Sequence, residues 1–177
     1  MPTCRWRTLD APGWEHLDLA LGADAISASG VLIGSRGGTD YGATYRMTLD
    51  PDWTVRHVEI LRTDGARLVM SSGPEGWVVD GEGRPDLTGC VDVDLSGSPF
   101  TNTLPIRRMD LPVGEEITLR MAWIPLDTLR PFPDLQRYTR MEDGRIRYRN
   151  EDGSFERLVE VDEDGLVTEY PGLFARM

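Results

Sequence analysis

The sequence predicts an all-β fold, a single-domain antiparallel rolled sheet or open barrel with little helix. Apolar and polar residues alternate along most of the chain, and this period of two is typical of strands with one buried face. Asp-Gly pairs separate the alternating runs at short intervals, as expected for the hairpins of a meander. About a dozen strands with one apolar face must curl or close, because a wide flat sheet leaves edges exposed.

Ten strands can be placed in chain order, each next to turn residues. The run 41–49 shows the pattern most clearly, with Tyr45 and Met47 among the residues of its apolar face. No run carries a capped helical stripe, so we expect helix only as a turn or two near Thr128 or Leu9. The predicted strands cover residues 26–34, 41–49, 53–62, 66–72, 77–80, 116–124, 136–141, 145–150, 154–161 and 166–170.

The chain shows no internal domain boundary. Its proline-interrupted connector, residues 125–133, is short, and strand patterns flank it on both sides. A chain of 177 residues is long enough to bury a core without disulfides or metals. We therefore predict one domain over residues 1–177.

The segment 89–108, GCVDVDLSGSPFTNTLPIRR, is the most informative stretch of the chain. Asp92 and Asp94 alternate with apolar residues, and a turn rich in hydroxyl and amide groups follows. We predict that the chain then returns as a strand, which would send Arg107 and Arg108 to opposite faces. The inward arginine needs a carboxylate, and the two aspartates are the nearest candidates.

This segment suggests a site for a polyhydroxylated or anionic ligand, because carboxylates, amides and guanidinium groups all bind such molecules. The alternative is an ordinary hairpin with a solvated outer face. Asn102 also has a structural interpretation, since asparagine in a turn commonly bonds neighbouring backbone groups.

Composition restricts the function classes. Nineteen basic residues against thirty acidic ones leave a formal charge of −11, which repels nucleic acids and anionic lipid headgroups. All basic residues are arginine. Schiff-base chemistry, pyridoxal-phosphate attachment and the P-loop lysine are therefore excluded, and we predict no cofactor.

Neither cysteines nor histidines form a recognisable metal or redox motif. Cys4 and Cys90 lie far apart, and His16 and His57 have no further ligands at zinc spacing. The N-terminal residues lack the apolar core of an export signal, and no run approaches the ~20 apolar residues of a membrane helix. We expect two free thiols, no stable membrane insertion and a cytoplasmic location. The oligomeric state stays open.

Several motifs resemble one protein family. They are PFTNTLPIRR at 99–108, QRYT at 136–139, YPGLF at 170–174, and an N-terminal pattern of Trp6, Gly13 and Glu15-His16-Leu17. Together they resemble a bacterial family described as putative glycolipid-binding, formerly a domain of unknown function. The resemblance spans essentially the whole chain. It implies a spiral β-roll, loosely similar to bacterial lipoprotein carriers that hold acyl chains inside a curved sheet.

The leading hypothesis is a non-enzymatic binding protein for a glycolipid or another amphiphile. Apolar chains would lie in the lumen of the roll, beside tryptophan, tyrosine and methionine side chains that otherwise form plain core; for Trp53 and Trp123 core is the favoured interpretation. Polar side chains would contact the headgroup. The candidate ligand-binding residues are Asp92, Asp94, Asn102, Thr103, Arg107, Arg108, Gln136 and Tyr138.

Two other function classes remain open. The first is an enzyme acting on a sugar or small metabolite with Asp92, Asp94 or Glu15 as acid and base, since carboxylates two residues apart on a strand lie about 6 to 7 Å apart. The second is an interaction domain that binds a protein partner through its acidic surface or its edge strands.

Overall fold

The computed structural model describes residues 3–109 and 111–177, which form one 15-stranded sheet with one short α-helix. Two 3₁₀ helices span Pro85–Leu87 and Pro99–Asn102, and α1 spans Thr103–Arg108. The strands are β1 (Thr3–Thr8), β2 (Trp14–Leu21), β3 (Ile26–Arg36), β4 (Thr39–Leu49), β5 (Val55–Arg62), β6 (Arg67–Gly73), β7 (Gly76–Val79), β8 (Glu82–Gly83), β9 (Asp92–Leu95), β10 (Glu116–Ile124), β11 (Phe132–Arg140), β12 (Ile146–Asn150), β13 (Glu156–Val161), β14 (Val167–Tyr170) and β15 (Phe174–Arg176).

The sheet has the order β8-β7-β6-β5-β4-β3-β2-β1-β15-β14-β13-β12-β11-β10-β9. The chain runs outward from β1 to β8, crosses to β9 at the other edge, and returns to β15, which pairs with β1. Only the β9–β10 pair of this order is parallel. This confirms the predicted all-β, mostly antiparallel fold with little helix.

The two edges of the sheet approach each other without closing a barrel. Trp77 on β7 donates an indole hydrogen bond to the carbonyl of Cys90, just before β9, at 2.8 Å. Arg84, after β8, reaches the carbonyl of Pro131 at 2.8 Å, just before β11. Side-chain contacts of this kind join the edges where strand pairing does not.

The ten predicted strands are all present, with ends shifted by four residues or fewer. The alternation on β4 is as predicted, since Tyr45 and Met47 are buried and Thr44 and Arg46 are exposed. Strand β2 was not predicted. Its inward face carries Glu15 together with two leucines, and a carboxylate at an inward position breaks the apolar pattern.

The predicted strand over 104–108 is wrong, because this part of the chain is helical. Pro99 begins the 3₁₀ helix, and Pro105 lies in the first turn of α1, where a missing N–H costs no hydrogen bond. Phe100 and Leu104 are four residues apart and fully buried, a spacing that places both on one helical face. The helices expected near Thr128 and Leu9 are not present: both positions lie in turns or bends.

The helical segment 99–108 fills the interior of the roll. Phe100 and Leu104 pack in the main core with side chains of both halves of the sheet, including Trp6. Ile106 packs in a second cluster with Tyr138 and other residues of β11 to β14. The lumen hypothesised from the sequence is therefore occupied largely by the protein's own chain.

Candidate ligand-binding cleft

A cleft of about 570 Å³ opens beside the 99–108 segment. It is lined by residues 94–98, which end β9 and begin the loop after it, by Asn102, by the end of β3, and by Thr8, Asp10, Ala11 and Pro12. Its volume lies within the range of small-molecule sites. Aromatic side chains also line it: Tyr41, Trp123, Phe132, Tyr148, Phe155, Tyr170 and Phe174.

The aromatic lining is built from edge-to-face contacts. The ring centroids of Trp123 and Phe132 lie 5.0 Å apart, those of Tyr148 and Phe155 5.8 Å, and those of Tyr148 and Tyr170 6.1 Å. Such pairs restrain the rings and leave amphipathic surface for a ligand. Phe132 is 44% exposed and gives the cleft an apolar rim.

Two carboxylates, joined through the side chain of Gln136, form the polar part of the cleft. Asp94 and Asp134 both line it, and Nε2 of Gln136 donates to Oδ2 of Asp94 at 2.7 Å and to Oδ2 of Asp134 at 3.0 Å. Thr101 Oγ1 donates to Oδ1 of Asp94 at 3.1 Å. Burial raises the pKa of Asp94, and the nearby charge of Asp134 adds to this.

Asn102 and Tyr138 extend this polar network. The Tyr138 hydroxyl lies 3.0 Å from Oε1 of Gln136 and 3.2 Å from Oδ1 of Asn102, so its single proton is shared between these two acceptors. The Nδ2 group of Asn102 lies 3.5 Å from the carbonyl of Pro99, the local backbone contact expected for this residue. Tyr138 and Gln136 therefore lie one hydrogen bond behind the cleft surface and orient the groups that form it.

Glu15 lies behind the cleft and is almost fully buried. Its Oε1 atom accepts hydrogen bonds from the Tyr45 hydroxyl and from Ser98 Oγ, each at 2.6 Å, while Oε2 has no partner among the described residues. Burial raises the pKa of Glu15 to about 7, and the hydrogen bonds offset only part of this effect. The Tyr45 ring packs directly on Gly30, where a Cβ atom would lie 2.3 Å from it.

The structure contains the predicted ion pair between an arginine of the motif and an aspartate. Arg108 binds Asp92 through two hydrogen bonds, Nε to Oδ1 at 3.0 Å and Nη2 to Oδ2 at 2.6 Å. Arg107 is exposed, and its guanidinium carbon lies 5.3 Å from the Trp53 ring centroid. One arginine binds an aspartate and the other is exposed, as predicted. The reason is their different directions from helix α1, not the opposite faces of a strand.

Four of the eight candidate residues come together here: Asp94 and Asn102 line the cleft, and Gln136 and Tyr138 lie directly behind it. The other four are elsewhere. Thr103, Arg107 and Arg108 do not line the cleft, and both oxygens of the buried Asp92 are engaged by Arg108. An acid–base pair of Asp92 and Asp94 is therefore not formed at the cleft.

Sequence reasoning missed several residues of the cleft. Asp134 lies near the start of β11, two residues before the predicted strand 136–141, because β11 begins at Phe132. Trp123 was interpreted as core but lines the cleft and is half-buried. The YPGLF motif, which carried part of the family resemblance, was the available signal for Tyr170 and Phe174.

Within residues 3–109 and 111–177, no three His, Cys, Asp or Glu side chains are grouped closely enough to hold a metal ion. No helix within those same ranges is long and apolar enough to cross a membrane.

The fold and the cleft together define the class of protein. It is a rolled antiparallel sheet around a helical segment, with a cleft lined by aromatic and acidic side chains. The chain belongs to the family described as "Putative glycolipid-binding", whose model matches residues 3–176, as the motif resemblance predicted. It is also similar to the crystal structure of a DUF1089 family protein from Pseudomonas aeruginosa, with 37% identity and a TM-score of 0.78 over 93% of this chain and 92% of that one. No curated protein matches the chain.

Proposed function

We propose that this protein is a non-catalytic binding protein for an amphiphile with a sugar-like headgroup, which enters the aromatic cleft. The observation that carries the proposal is the combination of an aromatic lining with the Asp94–Gln136–Asp134 network in one cleft of about 570 Å³. Carboxylates accept hydrogen bonds from sugar hydroxyls, and aromatic rings pack against the apolar faces of a sugar ring. Membership of the family supports the same ligand class.

The apolar chain of the ligand would leave the cleft along its rim. The segment 99–108 already fills the interior of the roll, so the acyl chain has no place there. Phe132 offers exposed apolar surface at the mouth of the cleft. The protein would therefore bind the headgroup and the first carbons of the chain.

A cytoplasmic location is part of the proposal and is supported by two free, buried thiols, Cys4 and Cys90.

Calorimetric titration with octyl β-D-glucopyranoside, kept below its micelle concentration, tests this function. We expect the protein to bind it and Trp123→Ala to weaken binding at least about five-fold, because one lost aromatic contact removes roughly 1 kcal/mol or more. Trp14→Ala is the matched control, since Trp14 is exposed on β2 and does not line the cleft.

Native mass spectrometry of protein purified from its own host gives a second readout. A co-purifying lipid is the expected result. Two results together would contradict the proposed function: protein purified from its host that carries no lipid, and no heat of binding with octyl β-D-glucopyranoside.

A further inference from the structure

We propose that the cleft selects a headgroup with a positive charge, an amine on or beside the sugar ring, and rejects anionic headgroups. This inference rests on the proposed function and specifies the substrate class of the same cleft.

Acidic side chains outnumber basic ones in the lining of the cleft. Neither Asp94 nor Asp134 has an ion-pair partner within the described part of the chain, whereas neighbouring Asp92 is neutralised by Arg108. Arg36 is the basic side chain that lines the cleft in the described ranges. It is engaged by Asp127 at 3.4 Å and stacks over the Trp123 ring at 4.4 Å.

A third carboxylate, Asp10, also lines the cleft. The excess of acidic over basic groups makes the site negative. In surroundings of reduced dielectric constant, a ligand cation gains more from such charges than it would in water.

The two carboxylates at the floor of the cleft are acceptors, and the side-chain donors that contact them are already engaged. The Nε2 group of Gln136 already donates to both carboxylates, and Thr101 donates to Asp94. The single proton of the Tyr138 hydroxyl is taken up by the side-chain oxygens of Gln136 and Asn102. A ligand must therefore bring the donors itself. An ammonium group brings three N–H donors and the opposite charge, whereas a carboxylate, sulfate or phosphate brings acceptors and a like charge.

Aromatic rings lie close to the same carboxylates. The Tyr148 and Tyr170 rings line the cleft together with Asp94 and Asp134. The Tyr148 ring also packs edge-to-face on Tyr138, whose hydroxyl contacts Gln136, the partner of both aspartates. Rings beside carboxylates favour cations, since the negative face of a ring attracts an ammonium group.

Charge selection can be tested with three octyl glycosides: a neutral one and two charged analogues, each of which differs from it at one position of the sugar. They are octyl β-D-glucopyranoside, its 2-amino-2-deoxy analogue and octyl β-D-glucopyranosiduronic acid, each titrated calorimetrically at neutral pH and low salt. We expect the amino sugar to bind about ten-fold more tightly than the glucoside, and the uronic acid to bind at least about ten-fold more weakly, a difference expected for charges a few ångströms apart.

Asp94→Asn and Asp134→Asn should each weaken binding of the amino sugar by a larger factor than binding of the neutral glucoside, so that the ratio of the two affinities falls towards one. Asp24→Asn is the control, because it changes net charge equally but lies in the exposed turn between β2 and β3, at the far end of those strands from the cleft. If the buried Asp94 variant fails to fold, the half-buried Asp134 variant carries the test.

Equal affinity for the amino sugar and the glucoside, or tighter binding of the uronic acid, would overturn the charge selection while leaving the cleft as an amphiphile site. Binding of none of the three compounds would instead overturn the proposed function itself.

Discussion

At the scale of single residues, Glu15 is the least ordinary side chain of the protein. It is a carboxyl group in the core, held by Tyr45 and Ser98, with one oxygen unpartnered among the described residues. Its charged form is costly because the surroundings replace few of the hydrogen bonds that water would supply. The protonated form therefore persists in the folded protein to higher pH than in the unfolded chain.

Glu15 should make stability fall as pH rises. The carboxyl titrates near 4.5 when unfolded and near 7 when folded, so between these values the folded state holds a proton that the unfolded state has lost. The free energy of unfolding should decrease across this window by about 3 kcal/mol and remain lower above it. Glu15→Gln removes this titration. Urea unfolding of both proteins at a series of pH values measures the difference.

The comparison isolates Glu15, since Asp92 and Asp94 titrate equally in both proteins. Glu75→Gln, in the exposed turn between β6 and β7, should leave the pH dependence unchanged. Parallel pH profiles for the wild type and Glu15→Gln would disprove the assignment.

At the scale of elements, α1 shows how two adjacent arginines acquire different roles. Asp92 is buried, and burial raises its pKa even though Arg108 binds it. Arg107 lies outside, over Trp53. The Arg108 contact compensates the buried charge of Asp92, whereas the Arg107 contact with Trp53 lies on the solvated surface.

Arg108→Met should destabilise the protein by about 3 kcal/mol at neutral pH, because it leaves the buried Asp92 carboxylate without a partner. Arg107→Met should cost less than about 1 kcal/mol, the range of an exposed cation–π contact. Chemical denaturation measures both losses. The Arg108→Met loss should shrink in acid, where Asp92 is protonated; equal losses at the two positions would contradict this account.

The helical segment also shows the limits of prediction for an element. Leu104 precedes a proline and was expected to be extended, and in the described structure neither Asn102 nor Ser98 caps a helix with its side chain. Local signals for a helix were therefore absent. Burial of Phe100, Leu104 and Ile106 against two core clusters outweighs the local preference, and that burial exists only once the sheet has rolled around the segment.

At the scale of the whole molecule, two halves of the chain depend on each other. Strand β1 pairs with β15, and the Trp6 indole donates to the Val167 carbonyl on β14 at 2.7 Å. The main core joins residues of the first eight strands to β9, β10 and the 99–108 segment. Neither half buries its apolar face alone.

Unfolding should therefore be a single cooperative transition. We expect tryptophan fluorescence and far-ultraviolet circular dichroism to give coincident denaturation curves, and Trp6→Phe to shift both curves together to lower denaturant concentration. Two separated transitions, or a shift of one signal alone, would show that the halves are stable independently.

The sequence by itself determined ten of the fifteen strands, their bounds to within four residues and the turns between them, because alternation and Asp-Gly turns act over a few residues. The motif resemblance also indicated the family. Tertiary structure decided which polar groups form the cleft. The contact between Asp94 and Gln136 spans 42 residues of the chain. It exists because β9 pairs with β10 and β10 with β11, which brings side chains from three strands together around a helical segment that only the rolled sheet stabilises.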